Sequence, residues 1–280
     1  MKISIIIPSF QRELELDNNI HFWQKELEDY DHHILVANAS NYEALKTKYS
    51  SNNRVIFLNV SEKYWWSESV NSAIKKALDL DSSYVLVTND DMIYPSGLIE
   101  LFINKFTHDE ILTIPQLQND GIIYNGSYIK GFFKDFIPNK SDFFDSAIID
   151  STNGSCLFIP TRIFENIGFF NYLDLPHYFS DIEFILRARN NGYKLRLLNF
   201  KPIIQGPPTE FYKRFSYFNI FFHKGSPLNT RAVIFFGHKL YNNHFNLFLG
   251  MGLKYILIYL VNILKFQFKK FKKTIIIRND

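Results

Sequence analysis

Cysteine and long uncharged apolar runs are what this 280-residue chain has least of. Its single cysteine, Cys156, excludes an intramolecular disulfide, and the start from Met1 to Pro8 has no apolar stretch long enough for a signal peptide. Lys254 and Lys265 interrupt the best candidate for a spanning helix, which needs ~20 uncharged apolar residues. These absences predict a cytoplasmic protein, and its 46% of hydrophobic residues is enough for a substantial core.

Acidic residues are absent from one long part of the chain. From Phe211 to Asn279 there are twelve Lys or Arg and no Asp or Glu. Residues 1 to 210 therefore hold 19 of the 31 cations and 27 of the 28 anions, which gives them a net charge of −8. An acidic body with a basic tail predicts that the tail faces an anionic surface, either phospholipid head groups or nucleic acid.

The first hundred residues alternate between short β-branched runs and helical segments, which predicts a parallel sheet covered by helices. Strands are expected at 3–7, 33–37, 55–58 and 84–87, and helices at 15–29, 42–48 and 67–80. Short strands and loops follow up to 149, and then a strand at 155–159 and helices at 161–167 and 181–191. Ligands of such sheets bind beyond the carboxyl ends of the parallel strands.

Asn89, Asp90 and Asp91 directly follow the fourth predicted strand, so their side chains are expected at the ligand-binding edge. Two adjacent acids there suit Mg²⁺ or Mn²⁺, because these ions take one or two protein carboxylates and fill the other positions with phosphate oxygens and water. An Asp-rich turn that caps the helix near Pro95 is the structural alternative.

A second pair of acids, Asp181 and Glu183, stands where a helix is predicted to begin. A carboxylate within hydrogen-bond reach of a substrate hydroxyl can act as a general base worth roughly 10²- to 10⁴-fold in rate. The same position suits a helix cap or first-turn acid, a stabilising role of ~1 kcal/mol. The motif by itself favours the cap.

Three further features are candidates for binding. Asn153 and Gly154 lie between short predicted strands, where small residues let the backbone approach a substrate. Trp65 and Trp66 offer flat surfaces for a sugar or a base, or for core packing. His223 is a candidate for a further metal ligand.

Taken in order, these segments resemble the family-2 glycosyltransferases, inverting enzymes with the nucleotide-sugar-binding fold called GT-A. The resemblance runs from about Ile3 to Pro227 and rests on these matches: ISIIIPSF at 3–10, WWSESVN at 65–71, NDD at 89–91, NGS at 153–155, LPHYFSDIEF at 175–184 and Arg187-Ala188. It is most similar to the bacterial branch that elongates capsule, O-antigen or other lipid-linked glycans, some members of which transfer rhamnose.

The resemblance implies a role for particular residues. Asp181 takes the position of the family's catalytic base, and Asp91 that of the main ligand for Mn²⁺ or Mg²⁺. The implied donor-binding residues are Ser9, Phe10, Asn38, Asn71, Asn89 and Asp90. The implied sugar and acceptor pocket consists of Trp65, Trp66, Asn153, Gly154, His177 and Glu183.

The chain departs from the family pattern at three positions. Ala37 stands where the family usually has an Asp that contacts the nucleobase, and Asn89 replaces the first Asp of the family's DxD motif. Ser180 stands where many members have Glu. These departures affect the prediction of the nucleobase and the sugar more than the prediction of the reaction type.

The sequence therefore predicts an α/β GT-A domain over 1–227, with a donor-binding half over about 1–110 and an acceptor half over about 111–227. A basic amphipathic tail follows over 228–280, in which a helix from Leu253 to Lys273 carries apolar residues on one face and lysines on the other. We expect this helix at the anionic inner face of the cell membrane, near a lipid-linked or oligosaccharide acceptor; packing on the domain is the alternative. Its cations alternate with large apolar residues, which argues against nucleic acid.

Two other functions compete with the transfer of a sugar from a nucleotide-sugar donor. A sugar nucleotidyltransferase would carry a glycine-rich phosphate-binding loop after the first strand, and the segment from Pro8 to Arg12 has none. A degenerate transferase that binds a nucleotide sugar without turnover is suggested by Ala37 and Asn89. The presence of Asp91 and Asp181 argues against it.

Overall fold

A computed structural model describes most of the chain: residues 1–38, 42–61, 63–118, 120–130, 135–139, 145–206 and 219–240, together with 256, 257, 260 and 261. The chain divides into two compact units. The first comprises Met1–Ile129 and Phe136–Pro208, and the second comprises Lys130–Asp135 and Thr209–Asp280. The predicted end of the catalytic domain at 227, and its division into halves, stay predictions.

Strands and helices alternate along the first unit. The strands are β1 (Lys2–Ser9), β2 (Asp31–Asn38), β3 (Val55–Asn59), β4 (Tyr84–Thr88), β5 (Met92–Ile93), β6 (Glu110–Thr113), β7 (Gln116–Leu117), β8 (Ile123–Tyr124), β9 (Ser127–Lys130), β10 (Asp135–Pro138), β11 (Ser146–Ile149), β12 (Cys156–Pro160), β13 (Lys194–Leu198) and β14 (Ile203–Gln205). The helices are α1 (Glu13–Glu26), α2 (Glu43–Lys48), α3 (Trp66–Asp79), α4 (Leu98–Lys105), α5 (Thr161–Ile167), α6 (Ser180–Asn190) and, in the second unit, α7 (Thr230–Leu240).

An eight-stranded sheet with the order β11-β13-β6-β12-β4-β1-β2-β3 forms the centre of the first unit. Strands β1 to β4 are parallel, and so are β6 and β13. Strand β12 runs antiparallel to both of its neighbours, β4 and β6, and β11 runs antiparallel to β13. The prediction of a mostly parallel sheet with flanking helices is confirmed. A four-stranded sheet, β5-β14-β7-β8, accompanies it.

The sheet is buried on both faces, which explains the continuous apolar run of β1. Ile3, Ile5 and Ile7 pack with residues of α1 and α4 in one cluster. Ile6 points to the other side and packs with residues of α3, α5 and α6. Because successive side chains of a strand alternate between faces, a strand between two helical layers must be apolar at nearly every position. Packing of helices on both faces of the sheet therefore fixes the positions of the strands and of their carboxyl ends.

The predicted C-terminal helix, 253–273, lies almost entirely outside the described residues. Ile256, Leu257, Leu260 and Val261 are helical and exposed. Among the described residues, no helix is both long and apolar enough to cross a membrane. The amphipathic helix at a membrane interface therefore stays a prediction.

Asn71 joins α3 to the segment after α5 and gives a test of the fold. Its buried amide donates to the carbonyl oxygen of Phe170 at 2.8 Å and accepts from the backbone N–H of Phe170 at 3.1 Å. We expect Asn71→Ala to lower the free energy of unfolding by about 1–3 kcal/mol, because both backbone groups lose their partner inside the protein.

Urea unfolding measures this loss, with Asn166→Ala as the control. Asn166 donates to the hydroxyl of Tyr193 at the surface, and its removal should change stability by less than about 0.5 kcal/mol. Stability unchanged in Asn71→Ala, with weaker binding of a nucleotide sugar, would contradict the structural role and favour the predicted donor contact.

Candidate active site

The carboxyl ends of β1 and β4 bring Ser9 and Asp90 together. The Ser9 hydroxyl donates to Asp90 Oδ2 at 2.6 Å, and both residues are buried. The hydroxyl of Tyr42 lies 3.2 Å from Ser9 Oγ and accepts from the backbone N–H of Arg12 at 2.9 Å. Two of the predicted donor-binding residues, Ser9 and Asp90, thus share one hydrogen-bonded cluster.

Burial changes the charge of Asp90. Loss of solvent raises the pKa of its carboxyl to about 7, and the nearby charge of Asp91 acts in the same direction. The hydrogen bond from Ser9 and the charge of Arg12 oppose this rise. Asp90 therefore carries only part of a negative charge near neutral pH, which suits a hydrogen-bonding group better than the main ligand of a cation.

Arg12 forms an ion pair with the acidic motif at 89–91. The sequence interpretation did not identify Arg12 as a site residue. Its Nη1 lies 2.7 Å from Asp91 Oδ2 and 3.9 Å from Asp90 Oδ1. The backbone of Asp91 is held as well, since its carbonyl oxygen accepts from the N–H of Gly206 at 2.7 Å, and a Cβ at Gly206 would overlap that oxygen. A basic residue just after the first strand was the available signal for Arg12, whereas no local signal marked Gly206.

Asp91 is the residue at this edge that could hold a divalent cation. Asp90 and Asp91 line a cavity of about 260 Å³ together with Glu15 and Asn19 of α1. The described residues contain no group of three or more His, Cys, Asp or Glu that could enclose a metal ion. Mn²⁺ or Mg²⁺ would therefore be held by Asp91 and otherwise by phosphate oxygens and water, as is usual for Mg²⁺ beside a phosphate substrate.

Asn89 connects the acidic motif to Trp66. Its side-chain oxygen accepts from the indole N–H of Trp66 at 2.9 Å, and its backbone N–H donates to the hydroxyl of Tyr94 at 3.0 Å. The same Tyr94 hydroxyl donates to the carbonyl oxygen of Ser155 at 2.9 Å. The Asn89 amide oxygen therefore has a defined hydrogen-bond partner, the indole N–H of Trp66.

Asp181 lies in the first turn of α6 and is fixed by two backbone groups. Its Oδ2 accepts from the N–H of Gly154 at 2.8 Å, and its Oδ1 accepts from the N–H of Ile182 at 2.8 Å. Burial raises the pKa of Asp181, while the hydrogen bonds from Ile182 and Gly154 act against the rise. Phe179, directly before the helix, has a φ of 69°, a strained backbone of the kind that clusters at functional sites.

Gly154 lies between Asp181 and Trp66 and has no space for a side chain. A Cβ there would lie 2.7 Å from the Trp66 ring and 3.3 Å from the Cβ of Asp181. The contacts therefore run from Asp181 through Gly154 and Trp66 to Asn89, beside the acidic pair. Residues from distant parts of the sequence are brought into one site.

Asn153 is held by Gln116, a second residue that the sequence interpretation missed. The amide of Asn153 donates to Gln116 Oε1 at 2.6 Å and accepts from Gln116 Nε2 at 2.5 Å. The Ser155 hydroxyl also donates to Asn153 Oδ1, at 2.5 Å. This network fixes the turn that contains Gly154, and nothing near Gln116 in the sequence indicates it.

His177 and Trp65 form an aromatic group next to the start of α6. Their ring centroids are 5.6 Å apart, and the ring of Tyr178 lies 4.7 Å from that of His177. Burial lowers the pKa of His177 to about 4, so the imidazole is neutral near pH 7. Its buried Nδ1 has no hydrogen-bond partner among the residues that the structure describes.

Several predicted site residues have other contacts. Both carboxylate oxygens of Glu183 accept from Arg187, at 3.0 and 3.1 Å, and Arg187 also donates to the carbonyl oxygens after α5. Glu183 and Asn71 thus have the contacts of structural residues, and their predicted binding roles stay predictions. Phe10 is exposed at the end of β1. The side chain of Asn38 lies outside the described residues, and His223 belongs to the second unit.

The sequence of this chain is similar to those of known proteins. Residues 4–155 match the family model described as glycosyl transferase family 2. Over 218 residues the chain is 25% identical to the low-salt glycan biosynthesis hexosyltransferase Agl10 of Haloferax volcanii, which covers 74% of this chain and 68% of that protein.

Two solved structures share the fold. GalNAc-T7, solved with UDP, GalNAc and Mn²⁺, has a TM-score of 0.60 at 12% identity over 85% of this chain and 47% of that chain. S. aureus TarS has a TM-score of 0.53 at 19% identity over 88% of this chain and 44% of that chain. The chain thus spans about half the length of these two proteins. The match over 4–155 shows that this chain belongs to glycosyltransferase family 2, and its fold is the GT-A architecture.

Proposed function

We propose that the protein transfers a hexosyl or deoxyhexosyl group from a nucleoside-diphosphate donor to a hydroxyl of a glycan acceptor, with inversion at the anomeric carbon. The observation that carries this proposal is the contact of Asp181 with Gly154, which packs on Trp66, the hydrogen-bond partner of Asn89. A hexosyltransferase of glycan biosynthesis among the relatives supports the reaction class. Membership of family 2 favours sugar transfer over nucleotidyl transfer.

Asp181 acts as the general base in this proposal. It removes the proton of the acceptor hydroxyl as that oxygen attacks the anomeric carbon, and the bond from this carbon to the diphosphate oxygen breaks. The raised pKa makes the carboxylate a stronger base, and the N–H groups of Gly154 and Ile182 hold its orientation. The products are the glycosylated acceptor and a nucleoside diphosphate.

The other residues of the site bind and orient the donor. Ser9 and Asp90 offer hydrogen-bonding groups at the end of β1 and β4, and Trp65 with neutral His177 offers apolar ring faces to a sugar. Asp91 would hold Mn²⁺ or Mg²⁺, which when bound neutralises charge on the departing diphosphate. A relative of the same fold solved with UDP and Mn²⁺ supports this cofactor.

The acceptor in this proposal is lipid-linked, and the product belongs to a cell-surface polysaccharide such as a capsule or O-antigen. The basic tail, which has no Asp or Glu before Asp280, and the exposed apolar residues Ile256 and Leu257 support a location on the inner face of the cell membrane. A protein on that surface would meet a lipid-linked acceptor directly.

Replacing the base tests the reaction. We expect Asp181→Asn to reduce kcat by ~10²-fold or more, because the amide keeps the hydrogen bond from a backbone N–H but cannot take a proton. A thermal-shift screen of nucleotide sugars with Mn²⁺ identifies the donor, and calorimetry then compares its affinity in both proteins, which should be similar.

The pH profile gives a second readout of the same variant. Because the base must be ionised and its pKa is raised, wild-type kcat should fall on acidification at a pH above the usual carboxylate range, and this limb should vanish in Asp181→Asn. Asp79→Asn, an exposed change of the same type on α3, is the control. Asp181→Asn with more than about a tenth of wild-type turnover would exclude Asp181 as the base.

The membrane proposal is tested by removing the tail from Leu247 onward. We expect the full chain to sediment with low-salt vesicles of phosphatidylglycerol and phosphatidylcholine and the truncated chain to remain in solution, active on a soluble acceptor analogue. Changing Lys269, Lys270, Lys272 and Lys273 to Gln should weaken sedimentation without a deletion, because each Lys near an anionic leaflet contributes roughly 1 kcal/mol.

Vesicles of phosphatidylcholine alone are the control for charge. Full-length protein that stays in solution with the anionic vesicles would contradict the proposal. A truncated chain that loses its circular dichroism spectrum would favour a tail packed on the protein.

A further inference from the structure

Arg12 holds the acidic motif at the position where the cation of the proposed reaction would bind. It directly precedes α1, after Gln11, whose φ of 56° turns the chain sharply. Its guanidinium lies 2.7 Å from Asp91 Oδ2, and its backbone N–H donates to Tyr42. The side chains of Arg12 and Asp91 are only 17% and 18% exposed, so this ion pair is screened less than a surface pair.

A divalent cation and Arg12 compete for the same carboxylate. A cation on Asp91 would stand next to the guanidinium, and the two positive charges would repel each other across a partly buried site. Binding of the cation alone must therefore break the pair of Arg12 and Asp91, and the cation brings no anion in exchange. The ion pair therefore weakens binding of the cation to Asp91 when no nucleotide is present.

A diphosphate removes this obstacle, because it offers the guanidinium another anionic partner. The planar fork of the Arg guanidinium matches two phosphate oxygens. We propose that Arg12 exchanges Asp91 for the donor diphosphate when nucleotide and cation bind together, so that the cation is bound tightly only with the donor. This inference rests on the proposed function, since it takes the diphosphate and the cation from it.

Binding measurements distinguish an Arg12 that moves to the diphosphate from one that stays paired with Asp91. Without Arg12, the cation alone binds better, because no ion pair has to break, whereas the nucleotide binds worse, because the diphosphate loses a partner. A guanidinium that stayed on Asp91 would oppose the cation equally with and without nucleotide. Its loss would then leave the coupling between the two ligands unchanged.

Calorimetry on the full chain with Mn²⁺ alone, and with UDP, GDP or dTDP at saturating Mn²⁺, tests the exchange. In Arg12→Gln we expect the affinity for Mn²⁺ alone to rise about tenfold and the affinity for the preferred nucleotide to fall about tenfold. Lys48→Gln, which removes the cation of a surface pair with Asp17, is the matched control and should change neither affinity. An unchanged nucleotide affinity in Arg12→Gln, or a shift of both affinities in the same direction, would overturn the inference.

Two further variants keep the test informative. If Arg12→Gln does not fold, Arg12→Lys should leave the affinity for Mn²⁺ alone within about threefold and weaken the nucleotide by at least about fivefold, since Lys keeps the charge but lacks the fork. Equal nucleotide affinity in Arg12→Lys and wild type would overturn the exchange. Asp91→Asn should abolish Mn²⁺ binding. Mn²⁺ binding that survives in Asp91→Asn would refute the proposed metal site itself.

Discussion

The antiparallel pairing of β12 with β4 is the contact on which the candidate site depends. Cys156, the first residue of β12, pairs with Thr88, the last residue of β4. The turn before β12 therefore lies beside the acidic motif after β4, and Gly154 is brought close to Asn89. A parallel β12 would place the same turn at the opposite end of the sheet, far from any carboxylate after β4.

Close packing around Gly154 then fixes the geometry of the candidate site. The Trp66 ring and the Cβ of Asp181 both approach this glycine at distances that exclude a side chain. The backbone N–H thereby reaches the Asp181 carboxylate, and the indole N–H reaches Asn89. Hydrogen bonds to backbone and indole groups orient the polar side chains of the site, so its geometry is set before any substrate is bound.

Charge in the site is balanced by burial and by one cation of the chain. Asp90 is buried and has a raised pKa, so it carries only part of a negative charge near neutral pH. Arg12 faces Asp91 and neutralises the other acid. Asn89, which stands in the place of a third acid, forms a neutral hydrogen bond with Trp66. The site therefore gathers polar groups without leaving adjacent buried carboxylates unbalanced.

The sequence by itself determined the order and type of the main elements, because apolar periodicity and turn residues are local properties, and it placed Asp90, Asp91 and Asp181 at element ends. Only the tertiary structure decided which of these ends meet. The five apolar residues of β12 do not predict whether it pairs parallel or antiparallel with β4. The sequence around Gln116, Gly206 or Arg12 likewise does not predict which residue each of them contacts. Such contacts depend on strand pairing and packing between distant segments, which a single sequence does not display.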